Sequence, residues 1–87
     1  MTQPVTSADP QWELIRKYAS WIRDDLDARD IDAIRARGIV VQAIAADPAT
    51  LPEILFAAKE IHQRNDGVYL PVAARAAVII DAIEGLT

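Results

Sequence analysis

The amino-acid sequence predicts an all-α fold: one compact domain of four short helices, built either as an up-and-down bundle or as two packed αα-hairpins. Three observations predict it. Apolar residues recur at alternating spacings of three and four over four separate stretches, the spacing that lines one face of a helix. Pro, Gly, Asp and Asn stand between those stretches, where helices start and stop. The 87 residues leave room for one domain, and 52% of them are apolar against 25% charged, a globular balance.

Met1 to Ala8 lacks any period and is expected to form a flexible tail, leaving residues 9–87 as the helical domain. Asp9 can cap the first helix with Pro10 at its first position, where the missing N–H costs nothing. From Pro10 to about Ala28, a core stripe of Trp12, Ile15, Ala19, Ile22 and Leu26 runs beside a second apolar line of Leu14, Tyr18 and Trp21. That face is wider than one neighbouring helix needs.

The second helix is expected to start near Asp30, where Asp30 and Asp32 suit the positive end of the helix dipole, and to stop before Asp47-Pro48. Ile31, Ile34, Gly38, Val41, Ile44 and Ala45 make one face. Ile39 and Val40 fall elsewhere, which predicts burial on more than one side. Gly38 costs about 1 kcal/mol relative to Ala inside a helix, so the expected reason for it is a close crossing by another helix, with a break in the helix as the alternative.

Thr50-Leu51-Pro52-Glu53 has the form of a capping box, in which the Thr50 hydroxyl and the Glu53 carboxylate satisfy each other's free backbone N–H groups. The third helix then runs to about Asn65 and buries Leu51, Ile54, Leu55, Ala58 and Ile61. Glu60 and Arg64 are spaced for a surface ion pair, and Asn65-Asp66-Gly67 ends the helix. Val68-Tyr69-Leu70 is expected to be an extended connector, because the residue before Pro71 is biased away from helix. The fourth helix presents Val72, Ala76, Ile79, Ile80, Ile83 and Leu86 inward and ends at Gly85.

Composition narrows the function classes. The formal charge of −4 disfavours general attraction to phosphate backbones, which needs clustered Lys and Arg, so nucleic acid is not the expected partner. The chain has no cysteine, which removes disulfides, thiolate metal sites and cysteine nucleophiles together. The polar start does not read as a secretion signal, and no apolar run approaches the ~20 residues a membrane span requires. The expectation is therefore a cytoplasmic protein with no membrane partner.

No residue set points to catalysis, a cofactor or a metal. His62 stands alone, because Glu60, two residues away, points to a different side of the helix. The acidic run Asp24, Asp25, Asp27, Asp30 and Asp32 lacks the glycine and glutamate placement of a calcium loop. The glycines, Gly38, Gly67 and Gly85, are isolated, which fits no phosphate-binding loop. The second and third helices could imitate a helix-turn-helix, but Leu51-Pro52-Glu53-Ile54-Leu55 offers no basic or amide group to base edges.

What remains is apolar residues outside the expected core. Phe56 projects between Glu53, Glu60 and Gln63, away from Ile54 and Ile61, and Leu14, Tyr18 and Trp21 widen the first helix. Exposed aromatic and aliphatic clusters mark partner surfaces. These four residues are the candidate partner-binding set, and the expected function is a non-enzymatic protein-protein interaction or assembly module, binding another protein or itself as a homo-oligomer. The alternatives are a small helix-turn-helix-like DNA-binding regulator and an accessory subunit of an enzyme complex.

Overall fold

The computed structural model describes residues 9–87, and the tail expected over residues 1–8 lies outside the described residues. Four helices follow one another: α1 (Pro10–Asp25), α2 (Ile31–Ala45), α3 (Leu51–Asn65) and α4 (Leu70–Leu86), with a 3-10 turn at Pro48–Thr50. Among the described residues there is no strand. Each helix packs on the next and α4 closes back on α1, so neighbours in sequence are neighbours in space. Of these four seams, that between α2 and α3 is the sparsest, and the α1/α2 and α3/α4 pairs are joined mainly along α1 and α4.

Local chemistry explains most boundaries. The Asp9 carboxylate accepts the Gln11 N–H at 2.8 Å and starts α1, with Pro10 in its first turn. α1 stops at Asp25, a turn earlier than Ala28, because Leu26 already takes an extended backbone. Asp30 caps α2 by accepting the Asp32 N–H at 2.8 Å, and Ala46 ends that helix with φ of 52°, a left-handed conformation unusual for alanine.

The capping box at α3 does not form. Thr50 lies in helical conformation within the 3-10 turn and its hydroxyl donates to the Asp47 carbonyl oxygen at 2.7 Å, while the Asp47 carboxylate caps the turn through the Ala49 N–H. Pro48 is the cause: its fixed φ starts a turn before Thr50 and draws Thr50 into it. At the other end of α3, Gly67 has φ of +75°, and the Val68 and Tyr69 N–H groups both donate to the Asn65 carbonyl oxygen. The extended residue of this connector is Tyr69, and Leu70 is already helical, with Pro71 in the first turn. α4 runs through Gly85 to Leu86, and Gly85 lies against the Gln11 side chain.

One core joins the four helices. α1 contributes Trp12, Ile15, Ala19 and Ile22, α3 Ile54, Ala58 and Ile61, and α4 Val72, Ala76, Ile79 and Ile83. These agree with the stripes expected from sequence, except that Leu26, Leu55, Ile80 and Leu86 are only partly buried at the edge.

α2 differs. It buries Asp32, Ala33, Ala36, Ile39, Val40 and Ala43, while Ile31, Ile34, Val41 and Ile44 are exposed. The face assigned to the core is thus the solvent face, and the helix is buried on one side only. Among the described residues nothing lies within 4 Å of a Cβ built on Gly38, so none of the four helices crosses there. The physical reason is bulk: alanines let α2 approach the large α1 residues closely, whereas a seam of four branched side chains would hold the helices apart.

The caps can be checked by equilibrium denaturation. Asp30→Ala is expected to cost about 1 kcal/mol. Thr50→Ala, which removes no cap, should stay within about 0.5 kcal/mol of the parent.

Candidate functional site

The position of α2 rests on a polar node. Asp32 is 3% exposed, and its carboxylate accepts from Arg64 Nε at 3.1 and 3.2 Å, from Asn65 Nδ2 at 3.0 Å and from Arg35 Nη1 at 3.2 Å. Asn65, also buried, donates to the Ile61 carbonyl oxygen at 2.7 Å. Arg64 therefore reaches across to α2 instead of pairing with Glu60. Glu60 meets Arg35 at 3.7 Å, and Gln42 donates to Glu53 at 3.4 Å. These contacts show that α2 and α3 run antiparallel with a polar ladder between them.

Outside that ladder lies the exposed apolar face of α2. Ile31, Ile34, Gly38, Val41 and Ala45 recur at spacings of three and four, directly opposite the buried side, and Ile44 extends the face toward α1. Ile44 also forms one lip of an open groove of about 350 Å³ lined by Trp12, Glu13, Arg16, Ala43 and Ala46. Across it, a hydrogen bond and the positive charge of Arg16 hold the Glu13 carboxyl below the usual carboxylate range. Phe56, 66% exposed, stands between Glu53 and Glu60 on α3, as Gly38 stands between Gln42 and Arg35 on α2. The ladder thus sets Phe56 level with Gly38, across the seam.

The sequence-named residues separate into two places. Leu14 and Tyr18 are partly buried and pack on the core. Trp21 is 42% exposed, but its ring meets Tyr18 edge-on at 4.9 Å, Lys17 Nζ lies 5.2 Å from its centroid, and the Arg75 guanidinium lies 5.8 Å away. Arg75 in turn donates to Asp25. The α1 cluster therefore sits on the seam with α4, and Phe56 is not brought to it. Ile31, Ile34, Val41 and Ile44 are the exposed apolar residues that sequence reasoning placed in the core. The available signal was that α2 carries an apolar stripe on each of two opposite sides.

The acidic run is spent within the chain. Asp24 pairs with Arg23, Asp25 with Arg75, and Asp30 caps α2. Asp27 is held below the usual carboxylate range by the backbone N–H of Arg29 and then by its side chain. Among the described residues no cluster has a metal-binding arrangement of His, Cys, Asp or Glu, and no helix is long and apolar enough to cross a membrane. Comparison with protein-family models, with curated proteins and with solved structures finds no match for this chain.

Two substitutions separate the node from the exposed face. Asp32→Ala should lower stability by about 2 kcal/mol, since Asn65 loses a buried partner while Arg35 and Arg64 can turn to water. Phe56→Ala should change stability by no more than about 0.5 kcal/mol in thermal melts, against roughly 2 to 5 kcal/mol for Ile54→Ala, two residues away on the buried side of the helix.

Proposed function

We propose that this chain is a non-enzymatic protein-protein interaction module, and that the outer face of α2, flanked by Phe56, is the surface it uses. The carrying observation is that α2 carries two opposed apolar stripes, separated by Arg35 and Gln42 on one flank and by Arg37 on the other, yet buries only one of them. One apolar stripe is what a helix at the surface of a small domain needs to pack, and a second, opposite stripe is ordinarily covered as well. Among the described residues nothing covers the second stripe, and a contiguous apolar face of this kind on a small domain marks an association surface.

The shape of the face supports the same reading. It is a stripe on an already formed helix whose rotation is tied by Asp32 to α3, so little order has to be created when a partner docks. Its rim is polar, with Arg35 and Gln42 toward α3 and Arg37 toward α1, where Arg37 donates to the Ala28 carbonyl oxygen. An apolar centre inside a polar, hydrogen-bonding rim is the usual anatomy of a protein interface.

The test is a double variant, Ile34→Glu with Val41→Glu. Both side chains are more than half exposed, so circular dichroism and melting temperature should stay close to those of the parent. Association should be lost, seen either as a drop in sedimenting mass or as loss of a stoichiometric protein retained by the immobilised parent. A variant that matches the parent in mass and in every retained protein refutes the proposal.

A further inference from the structure

We propose that the occupant of this face is a second copy of the same chain, packed as an antiparallel α2 pair that crosses at Gly38. The inference rests on the reading of the α2 outer face as an interaction surface and names its partner.

Gly38 is the starting point. It is exposed in the middle of α2, has ordinary helical backbone and has open space where a Cβ would project. Neither conformation nor packing among the described residues requires glycine there, and glycine is the poorest helix former after proline. A glycine at the centre of an apolar helix face does allow another helix backbone to approach closely.

The face is also arranged about Gly38 so that it can meet itself. Ile31 and Ala45 lie equal distances along the chain on either side of Gly38, and Ile34 and Val41 lie one turn away on either side. Antiparallel crossing at Gly38 brings Ile34 level with Val41 of the second copy, and Ile31 level with its Ala45. Large residues thus meet smaller ones in both halves, as an isologous two-fold contact demands. The spacing 31, 34, 38, 41, 45 is also the alternation of three and four that seams paired helices.

Charge favours the antiparallel two-fold over the parallel one. A two-fold axis perpendicular to α2 within the interface leaves α3 of both copies on the same side of the helix pair. Because α2 and α3 are antiparallel and bridged by Arg35 to Glu60 and Gln42 to Glu53, this places Arg35 level with Glu53 of the second copy, and the reverse. Phe56 comes level with its own copy and closes the seam. A parallel pair would set α3 of one copy over α1 of the other and lose both matches.

The area is of the right order. The exposed parts of Ile31, Ile34, Val41, Ile44 and Phe56 amount to on the order of 500 Å² per copy, and the Arg35, Arg37 and Gln42 rim adds toward the ~800 Å² per partner of a standard interface.

Sedimentation equilibrium on the parent should show mass rising from 9.6 kDa toward twice that value as concentration increases. Gly38→Leu keeps a strong helix former on an open face, so the fold should persist while self-association weakens by at least about tenfold. The chain has no cysteine, so Gly38→Cys supplies a unique reporter. Oxidation should join two copies through residue 38, which requires Cα atoms within ~7 Å, while Ala74→Cys on the exposed side of α4 should not crosslink at the same concentration. A parent that stays monomeric to about 1 mM, or a dimer indifferent to Gly38→Leu and not joined at residue 38, overturns this pairing. If the parent is monomeric but retains a different protein that the Ile34→Glu, Val41→Glu variant loses, self-pairing fails while the interaction reading survives.

Discussion

The buried carboxylate of Asp32 fixes the rotation of α2 about its own axis, and with it the character of the whole surface. Hydrophobic patterning alone does not fix that rotation, because α2 offers an apolar stripe on each side. Asp32 turned to solvent would leave Asn65 buried without its carboxylate partner, and would release Arg64 and Arg35 from the contacts that tie α3 to α2. Leaving a buried donor unpaired costs ~1 to 3 kcal/mol, a large share of the stability available to so small a domain. Polar satisfaction therefore decides between two faces that burial would treat almost alike.

Packing acts in the same direction. With Asp32 inward, α2 presents Ala33, Ala36 and Ala43 beside Ile39 and Val40, and the neighbouring helix can be close enough for Trp12, Ile15, Ala19 and Ile22 to fill the space. Half a turn of rotation would bring in Ile31, Ile34, Val41 and Ile44. Such overpacking costs ~1 to 3 kcal/mol per misfit even after relaxation, or else forces α1 and α2 apart and loosens the contacts α1 makes with α4. The exposed aliphatic stripe is thus a consequence of how the core is closed.

The legible part of this fold follows from the same comparison. In α1 and α3 charged and polar residues gather opposite the core stripe, and in α4, which is apolar over more of its surface, Asp81 and Glu84 mark the outer side, so the pattern identifies both the helix and its inner face. In α2 periodicity identifies the helix but offers two faces, and the larger residues lie on the one that faces out. The choice depends on Asn65 and Arg64 meeting Asp32 across more than thirty residues of sequence, which no local pattern contains. Local motifs failed where a stronger neighbour intervened. Pro48 drew Thr50 into a turn capped by Asp47, and Asp32 and Arg35 took the partners that Glu60 and Arg64 would otherwise have been to each other. Phe56 was legible as exposed because Glu53, Glu60 and Gln63 surround it on the helix surface. Its relation to α2 was not, because the polar ladder that sets it level with Gly38 is a tertiary feature.

Gly38 connects stability to association. In a domain whose core is limited by chain length, a glycine within an exposed helix lowers helix stability without any return from the chain's own packing. The neighbouring exposed isoleucines and valine likewise lie against water on a face where charged residues would be better solvated. Each feature alone is ordinary on a protein surface. Together they share one side of one helix, with the residue that allows closest approach at its midpoint and the only phenylalanine beside it. A surface so arranged favours the associated state over the isolated one, because the cost of its exposure is removed when another helix covers it.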